Sequence, residues 1–222
     1  MKWLKMEEKM KKNKKRKFKF KGILIIITLV IIIAVVLFVF LKPKKNNTNN
    51  VVEVEVIDSI DNFDYQLNDN ETKYFNDLFS SLKELLSKED YNEDDYAVLI
   101  GQLFLVDFYD LDSKVMKSDV GGIQFVYEGY RTDFELGAMN SVYKFVDSNI
   151  YGDRKQKLPV VKKVEMTNLT KSSFVYNETT DSNAYYLDMK ITYENDLDYP
   201  VSVSLTLIHN NDKLEIAEMK TK

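Results

Sequence analysis

The sequence predicts an α+β protein: one N-terminal transmembrane helix, then about three helices packed on an antiparallel sheet of about four strands. Three observations carry that prediction. Residues 22–41 hold no charge and are almost entirely Ile, Leu, Val and Phe. Between about Asn70 and Asp147 apolar residues recur at the helical period, and beyond Gly152 they recur at every second position. A shift of period from 3.6 to 2 marks a change from helices to strands.

The apolar run comes first. Its twenty residues, at about 1.5 Å each, span about 30 Å as a helix, the thickness of a bilayer's hydrocarbon core. A cleaved signal peptide has a shorter apolar core, roughly 7–15 residues, followed by a small-residue cleavage site. Here the run ends in Phe38-Val39-Phe40-Leu41-Lys42-Pro43, so an uncleaved signal-anchor is expected. Residues 1–21 carry eleven Lys/Arg against two Glu, and three lysines follow the run at 42–45. That bias predicts a cytoplasmic N-terminus and an extracellular C-terminal domain at the cell membrane. The expected division is therefore 1–21 basic cytoplasmic tail, 22–41 transmembrane helix, 42–57 polar linker and short strand, and 58–222 extracytoplasmic α+β domain. The lipid bilayer is the first expected partner. Phe18 and Phe20 among the lysines of the tail could also suit nucleic acid, but topology already demands those charges, and no nucleic acid is expected.

Residues 46–222 are acidic, with 17 basic against 33 acidic side chains, a net of −16. Cysteine is absent, which excludes disulfides, thiolate metal sites and cysteine nucleophiles. Val51 to Val56 alternates Val and Glu like a short strand. The first helix should start near Asn70 and bury Phe75, Leu78, Phe79, Leu82, Leu85 and Leu86 on one stripe. Asn92, followed by Glu93, Asp94 and Asp95, reads as a cap with an acidic first turn. The helix behind it runs through Leu111 and is apolar on nearly every face, so it should be the central one. A long connection, Lys114 to Tyr130, leads to a third helix from Thr132 or Asp133 to about Asp147, burying Phe134, Ala138, Val142 and Phe145. Strands are expected at 160–167, 185–194, 201–208 and 213–219, with clean alternation in the middle two.

Helices first and an antiparallel meander after, behind one anchor, give a layout over 70–219 that resembles the cystatin-like (nuclear-transport-factor-like) fold. That fold forms the outer domain of membrane-bridging subunits of type IV secretion and conjugation systems. A closer resemblance is to uncharacterised single-pass extracytoplasmic proteins of Gram-positive-type bacteria. It rests on Asp119-Val120-Gly121-Gly122, Phe125-Val126-Tyr127 and Tyr151-Gly152-Asp153-Arg154-Lys155-Gln156-Lys157-Leu158-Pro159. Neither resemblance implies a catalytic residue.

Candidate chemistry is thin. The one histidine, His209, followed by Asn-Asn-Asp, reads as a surface turn residue lacking the orienting carboxylate that catalysis needs. Asp107, Asp110 and Asp112 have a spacing that suggests calcium, but they end an apolar helix without the glycine and terminal glutamate of a calcium loop, so no metal and no cofactor are expected. Asp107, between Leu105-Val106 and Phe108, is expected to be buried and either ion-paired, with Arg131 or Arg154, or to act as a base beside tyrosines. Gly121-Gly122 reads as a turn needing positive φ. Tyr127 and Tyr130, with Asp107, are the candidate ligand-binding residues, and fourteen tyrosines could furnish a docking surface. The function predicted is a non-enzymatic, membrane-anchored extracytoplasmic interaction or scaffold protein with a protein partner in the cell envelope, in an envelope or secretion-type assembly. The alternatives are a small-ligand sensing module and an acid–base enzyme on a cystatin-like fold using Asp107.

Overall fold

The structure, a computed structural model, describes residues 54–222. Residues Val51–Lys222 form one compact unit. The transmembrane, tail and linker expectations for residues 1–53 lie outside the described residues. Among the described ones, no helix is long and apolar enough to cross a membrane.

The described chain is α+β, with three α-helices and a four-stranded antiparallel sheet. A small ribbon comes first: β1 (Val56–Ile60) pairs antiparallel with β2 (Tyr65–Asn68). The first helix, α1 (Lys73–Leu86), starts where the Thr72 side chain accepts from the Phe75 amide at 3.2 Å. Its predicted stripe turns inward through Phe75, Leu78, Phe79 and Leu82. The second, α2 (Glu93–Tyr109), is capped by Asn92, whose side chain accepts from the Asp94 amide at 2.9 Å. Three acidic residues occupy its first turn, where the helix dipole favours them.

Being apolar all round, α2 is buried all round: Ile100, Leu103, Phe104, Leu105 and Val106 are fully enclosed. It lies against the sheet at Gly101, where a Cβ would sit 3.1 Å from Leu187 and 3.3 Å from Leu205. A side chain there would make both leucines give by a few tenths of an ångström, so glycine suits this close approach of helix and sheet.

Four strands follow in meander order: β3 (Val161–Tyr176), β4 (Thr179–Tyr193), β5 (Ser202–Asn210) and β6 (Lys213–Thr221). Tyr185, Leu187, Met189 and Ile191 of β4, and Val203, Leu205 and Leu207 of β5, meet the helices. The opposite face is not wholly wet. Ile208, Ala184 and Tyr176 form a second small cluster there, with Tyr127, Tyr130 and Phe174 packed on it. The β6 edge is covered by residues 126–127: Val126 bridges Ile216 in parallel, and the Tyr127 amide donates to Ile216 O at 2.9 Å.

Five details differ from expectation. The third helix, α3, runs Arg131–Asn140, shorter than the stripe suggested. The backbone leaves helical geometry at Ser141 (φ −125, ψ −96), so Tyr143 rather than Phe145 turns inward and Phe145 is 74% exposed. The strand expected at 51–56 lies, among the described residues, at Val56–Ile60, β2 had no forecast, β4 begins six residues before Tyr185, and β3 extends nine residues past Thr167. Its bulges at 166/168 and 172/174 break the alternation that marks strands.

Candidate functional site

The structure gathers ionisable side chains at both ends of α2. At its C-terminal end, Asp107 lies in the last turn, buried, with no basic residue on the helix nearby. A negative charge there opposes the helix dipole and loses its water. The chain compensates with Lys114, which returns from the connection and donates to Asp107 Oδ1. Both side chains are under a tenth exposed. The second oxygen, Oδ2, accepts from the Gly122 amide at 2.6 Å.

That cradle explains Gly121-Gly122. Gly122 has φ +78, as a positive-φ turn requires. Gly121 is needed for a different reason: a Cβ on it would overlap the main-chain oxygen and Oδ1 of Asp107. Tyr143 closes the cluster, donating to Phe108 O at 2.7 Å and accepting from the Gly121 amide at 3.0 Å.

The charges nearby set the titration. Burial works against the Lys114 ammonium most strongly, yet Asp107, Tyr143 and Glu71 together outweigh it and hold the amine above its ordinary range. Burial and the negative charge of Asp107 push Glu71 up to about 8. Burial also lifts Asp110 to about 6, against the Val161 amide that donates to its Oδ2 at 3.0 Å. Tyr143 is raised, chiefly by burial.

The expected arginine partners serve elsewhere. Arg131 Nε donates to Val126 O at 2.8 Å, and its Nη2 lies 3.5 Å from the buried Glu215. The Arg154 guanidinium bonds the carbonyls of Lys114 and Asp112 at 2.7 and 2.6 Å. So Asp107 is ion-paired as one sequence reading had it, but to a lysine seven residues on. Asp110 and Asp112 take partners of their own, and among the described residues no three His, Asp or Glu side chains are grouped to hold a metal ion.

Tyr127 and Tyr130 belong to a different cluster from Asp107. The Tyr127 ring meets those of Tyr130 and Tyr176 edge-on, each at 5.2 Å between centroids. Beside them, Val126, Tyr130, Phe134, Ile216 and Met219 line a slot of about 280 Å³ between α3 and β6, with Asp133 and Glu218 also in its wall. Asp107 lines neither this slot nor the larger concavities of about 510 and 360 Å³.

The N-terminal end of α2 holds the residue that the sequence misjudged. His209 is no free turn residue: it lies in β5, with Nδ1 2.8 Å from Asp181 Oδ2 and Nε2 3.2 Å from Glu93 Oε1. Asp181 also accepts from the His209 amide at 2.8 Å. Carboxylates only accept, so both ring nitrogens are fully satisfied only when each carries hydrogen. Tyr185 joins in, donating to Glu93 Oε2 at 2.9 Å and to Asp94 Oδ1 at 3.0 Å. Lys171 pairs with Asp94 at 2.7 Å and lies over the Tyr185 ring. Burial and then those two carboxylates raise the Tyr185 hydroxyl well above its usual range. No local signal announces this network, since Asp181 is 28 residues from His209 and Glu93 is 116. The chain matches no protein-family model, no curated protein and no solved structure.

Proposed function

We propose that this chain is a membrane-anchored, extracytoplasmic interaction protein whose outer domain docks another protein of the cell envelope. Support for the anchor comes from the uncharged run 22–41 and its flanking lysines. Support for docking rather than catalysis comes from the disposition of the ionisable groups. Asp107, Lys114, Asp110, Arg131, Arg154 and Glu215 spend their polar atoms on one another, on the main chain or, for Glu215, on the Asn210 side chain. Among the described residues, Asn76 Oδ1 and Tyr109 OH are the buried side-chain polar atoms left without a partner. A general acid or base needs reach to a substrate, and Asp107 is instead enclosed with its counter-ion.

Tyr127 and Tyr130, half-exposed over the buried Tyr176, offer the surface such a protein would use. Tyrosines present rigid, amphipathic area at low entropic cost and are enriched at interfaces. The adjoining slot, at about 280 Å³, falls just below the range of roughly 300–1,000 Å³ usual for small-molecule sites. It suits one apolar side chain of a partner better than a free ligand. The resemblance to bridging subunits of secretion systems is part of this proposal and would place the partner in a multiprotein assembly.

A photo-crosslinking amino acid at Tyr127 or Tyr130 of the full chain, in intact cells, tests the reading. A discrete adduct with an exported or membrane protein is expected. Absence of any protein adduct, together with small-molecule turnover by the purified protein, would replace it with the enzyme reading.

A further inference from the structure

Between α3 and β3 the chain holds up two large apolar side chains that nothing in the described domain covers. Phe145 is 74% exposed and Tyr151 83%. Exposing such rings to water is unfavourable, by roughly 25 cal/mol per Å² of apolar surface. A disordered loop could fold them away, but this one is fastened. The Gln156 side chain donates to Phe145 O at 2.7 Å and accepts from the Asp147 amide at 2.8 Å. Arg154, with a side chain only 3% exposed, ties the loop to Lys114 O and Asp112 O. The Asn149 amide donates to Val115 O at 2.7 Å, and its side chain accepts from the Arg154 amide at 3.1 Å. Tyr143, Val146 and Leu158 pin the stretch from beneath.

Charge sets the same loop apart from the acidic balance of the domain. Residues 54–222 hold 17 basic and 32 acidic side chains, yet the exposed charges of 144–157 are Lys144, Lys155 and Lys157 against Asp147 and Asp153. The Lys144 ammonium lies 5.1 Å from the centroid of the Phe145 ring. Exposed aromatic rings flanked by lysines have the composition of a membrane-interface contact. Each lysine near an anionic bilayer contributes attraction that falls away within a Debye length.

We infer that the loop of residues 144–157 is a lipid-contacting surface, which seats Phe145 and Tyr151 among anionic headgroups and turns this face of the acidic domain toward the bilayer. The inference rests on the anchoring proposed above. The twelve residues 42–53 reach at most about 40 Å when fully extended, so the domain would stay beside its own membrane at high effective concentration. A weak contact then suffices. The rest of the domain is negative on balance, so anionic lipid repels it as a whole, and only the loop pairs its lysines with exposed aromatic rings as large as Phe145 and Tyr151.

The test uses the full chain in phosphatidylcholine vesicles with and without phosphatidylglycerol, carrying brominated acyl chains as quenchers. Trp3 is the one tryptophan, so Trp3→Phe provides a dark background for single reporters at Phe145→Trp, Tyr151→Trp and Val175→Trp. Val175 is 67% exposed on the β3–β4 hairpin. Quenching and a blue shift are expected at positions 145 and 151 with phosphatidylglycerol, but not at 175. Replacing Lys144, Lys155 and Lys157 by Glu should abolish the effect. If the chain stays with vesicles through alkaline washing while position 145 remains unquenched, the loop inference is overturned and the anchor stands. If washing strips the chain from vesicles, the anchoring reading itself fails. A loop that is unquenched by lipid but crosslinks to a protein in cells belongs to a protein interface, which also overturns the inference.

Discussion

The two ends of α2 are both held by ionic clusters, but burial makes them different devices. At the C-terminal end Asp107 and Lys114 are each under a tenth exposed, and the aspartate works against the helix dipole. At the N-terminal end Glu93 and Asp94 agree with the dipole, and their partners His209 and Lys171 are 31% and 40% exposed. Solvent therefore shares most of the N-terminal charges, Asp181 at 8% exposed being the exception, and almost none of the C-terminal ones. The buried pair should be costly to break and insensitive to salt, and the exposed network cheap and salt-dependent.

Removing one partner of the buried pair gives the largest expected effect. Lys114→Met leaves the Asp107 carboxylate uncompensated and should destabilise residues 51–222 by about 3–5 kcal/mol, read from urea unfolding. The double variant Asp107→Leu with Lys114→Met should recover most of that loss, because no lone charge then remains inside. If Lys114→Met costs no more than a substitution in the His209 network, burial does not separate the two ends and the comparison fails.

Glu71 sharpens the comparison through pH. Its carboxyl is raised from an ordinary 4.5 to about 8, by burial and then by Asp107. The folded state holds this proton where the unfolded chain has released it. The contribution is complete below about 4.5 and is lost as pH rises toward 8. Glu71→Gln keeps a neutral side chain at every pH. It should therefore unfold at a higher temperature than the parent above pH 8 and at the same temperature near pH 4. Parallel melting curves across that range would mean that Glu71 is not held neutral by the Asp107 cluster.

How much of this was legible follows from where each interaction lies along the chain. The central helix was readable because Ile100, Leu103, Phe104, Val106 and Phe108 leave it no polar face, and its start because Asn92 and three acids stand together. Asp107 stood out because apolar neighbours flank it. Its partner was misassigned because a choice between Lys114, Arg131 and Arg154 depends on how the connection folds back. The end of α3 was misread for a similar reason. The stripe continues through Phe145, but the Tyr143 hydroxyl finds Phe108 O and the Gly121 amide inside, and that tertiary satisfaction overrides the helical period. β2 is short, and what fixes it is distant: the Tyr65 hydroxyl meets that of Tyr96 at 2.7 Å. The His209 network joins three strands to a helix, so no window of sequence contains it.

The smallest expected effect tests the exposed end itself. The Asp181 carboxyl is partly desolvated, which alone would raise it, but the His209 amide and ring and the Asn183 amide together hold it below its ordinary value. A lowered carboxylate contributes stability above its unfolded pKa, about 3.8, and loses it as pH falls through the lower folded value. Asp181→Asn should therefore cost about 1 kcal/mol at neutral pH, and progressively less as pH falls below 4. The cost should also shrink modestly in high salt, since Glu93 and His209 are 47% and 31% exposed although Asp181 itself is enclosed. A cost that is unchanged at pH 3 and in salt would mean that Asp181 acts through shape and hydrogen bonding alone. The N-terminal end of α2 would then be fastened by hydrogen bonds, with the charge of His209 incidental to its hold.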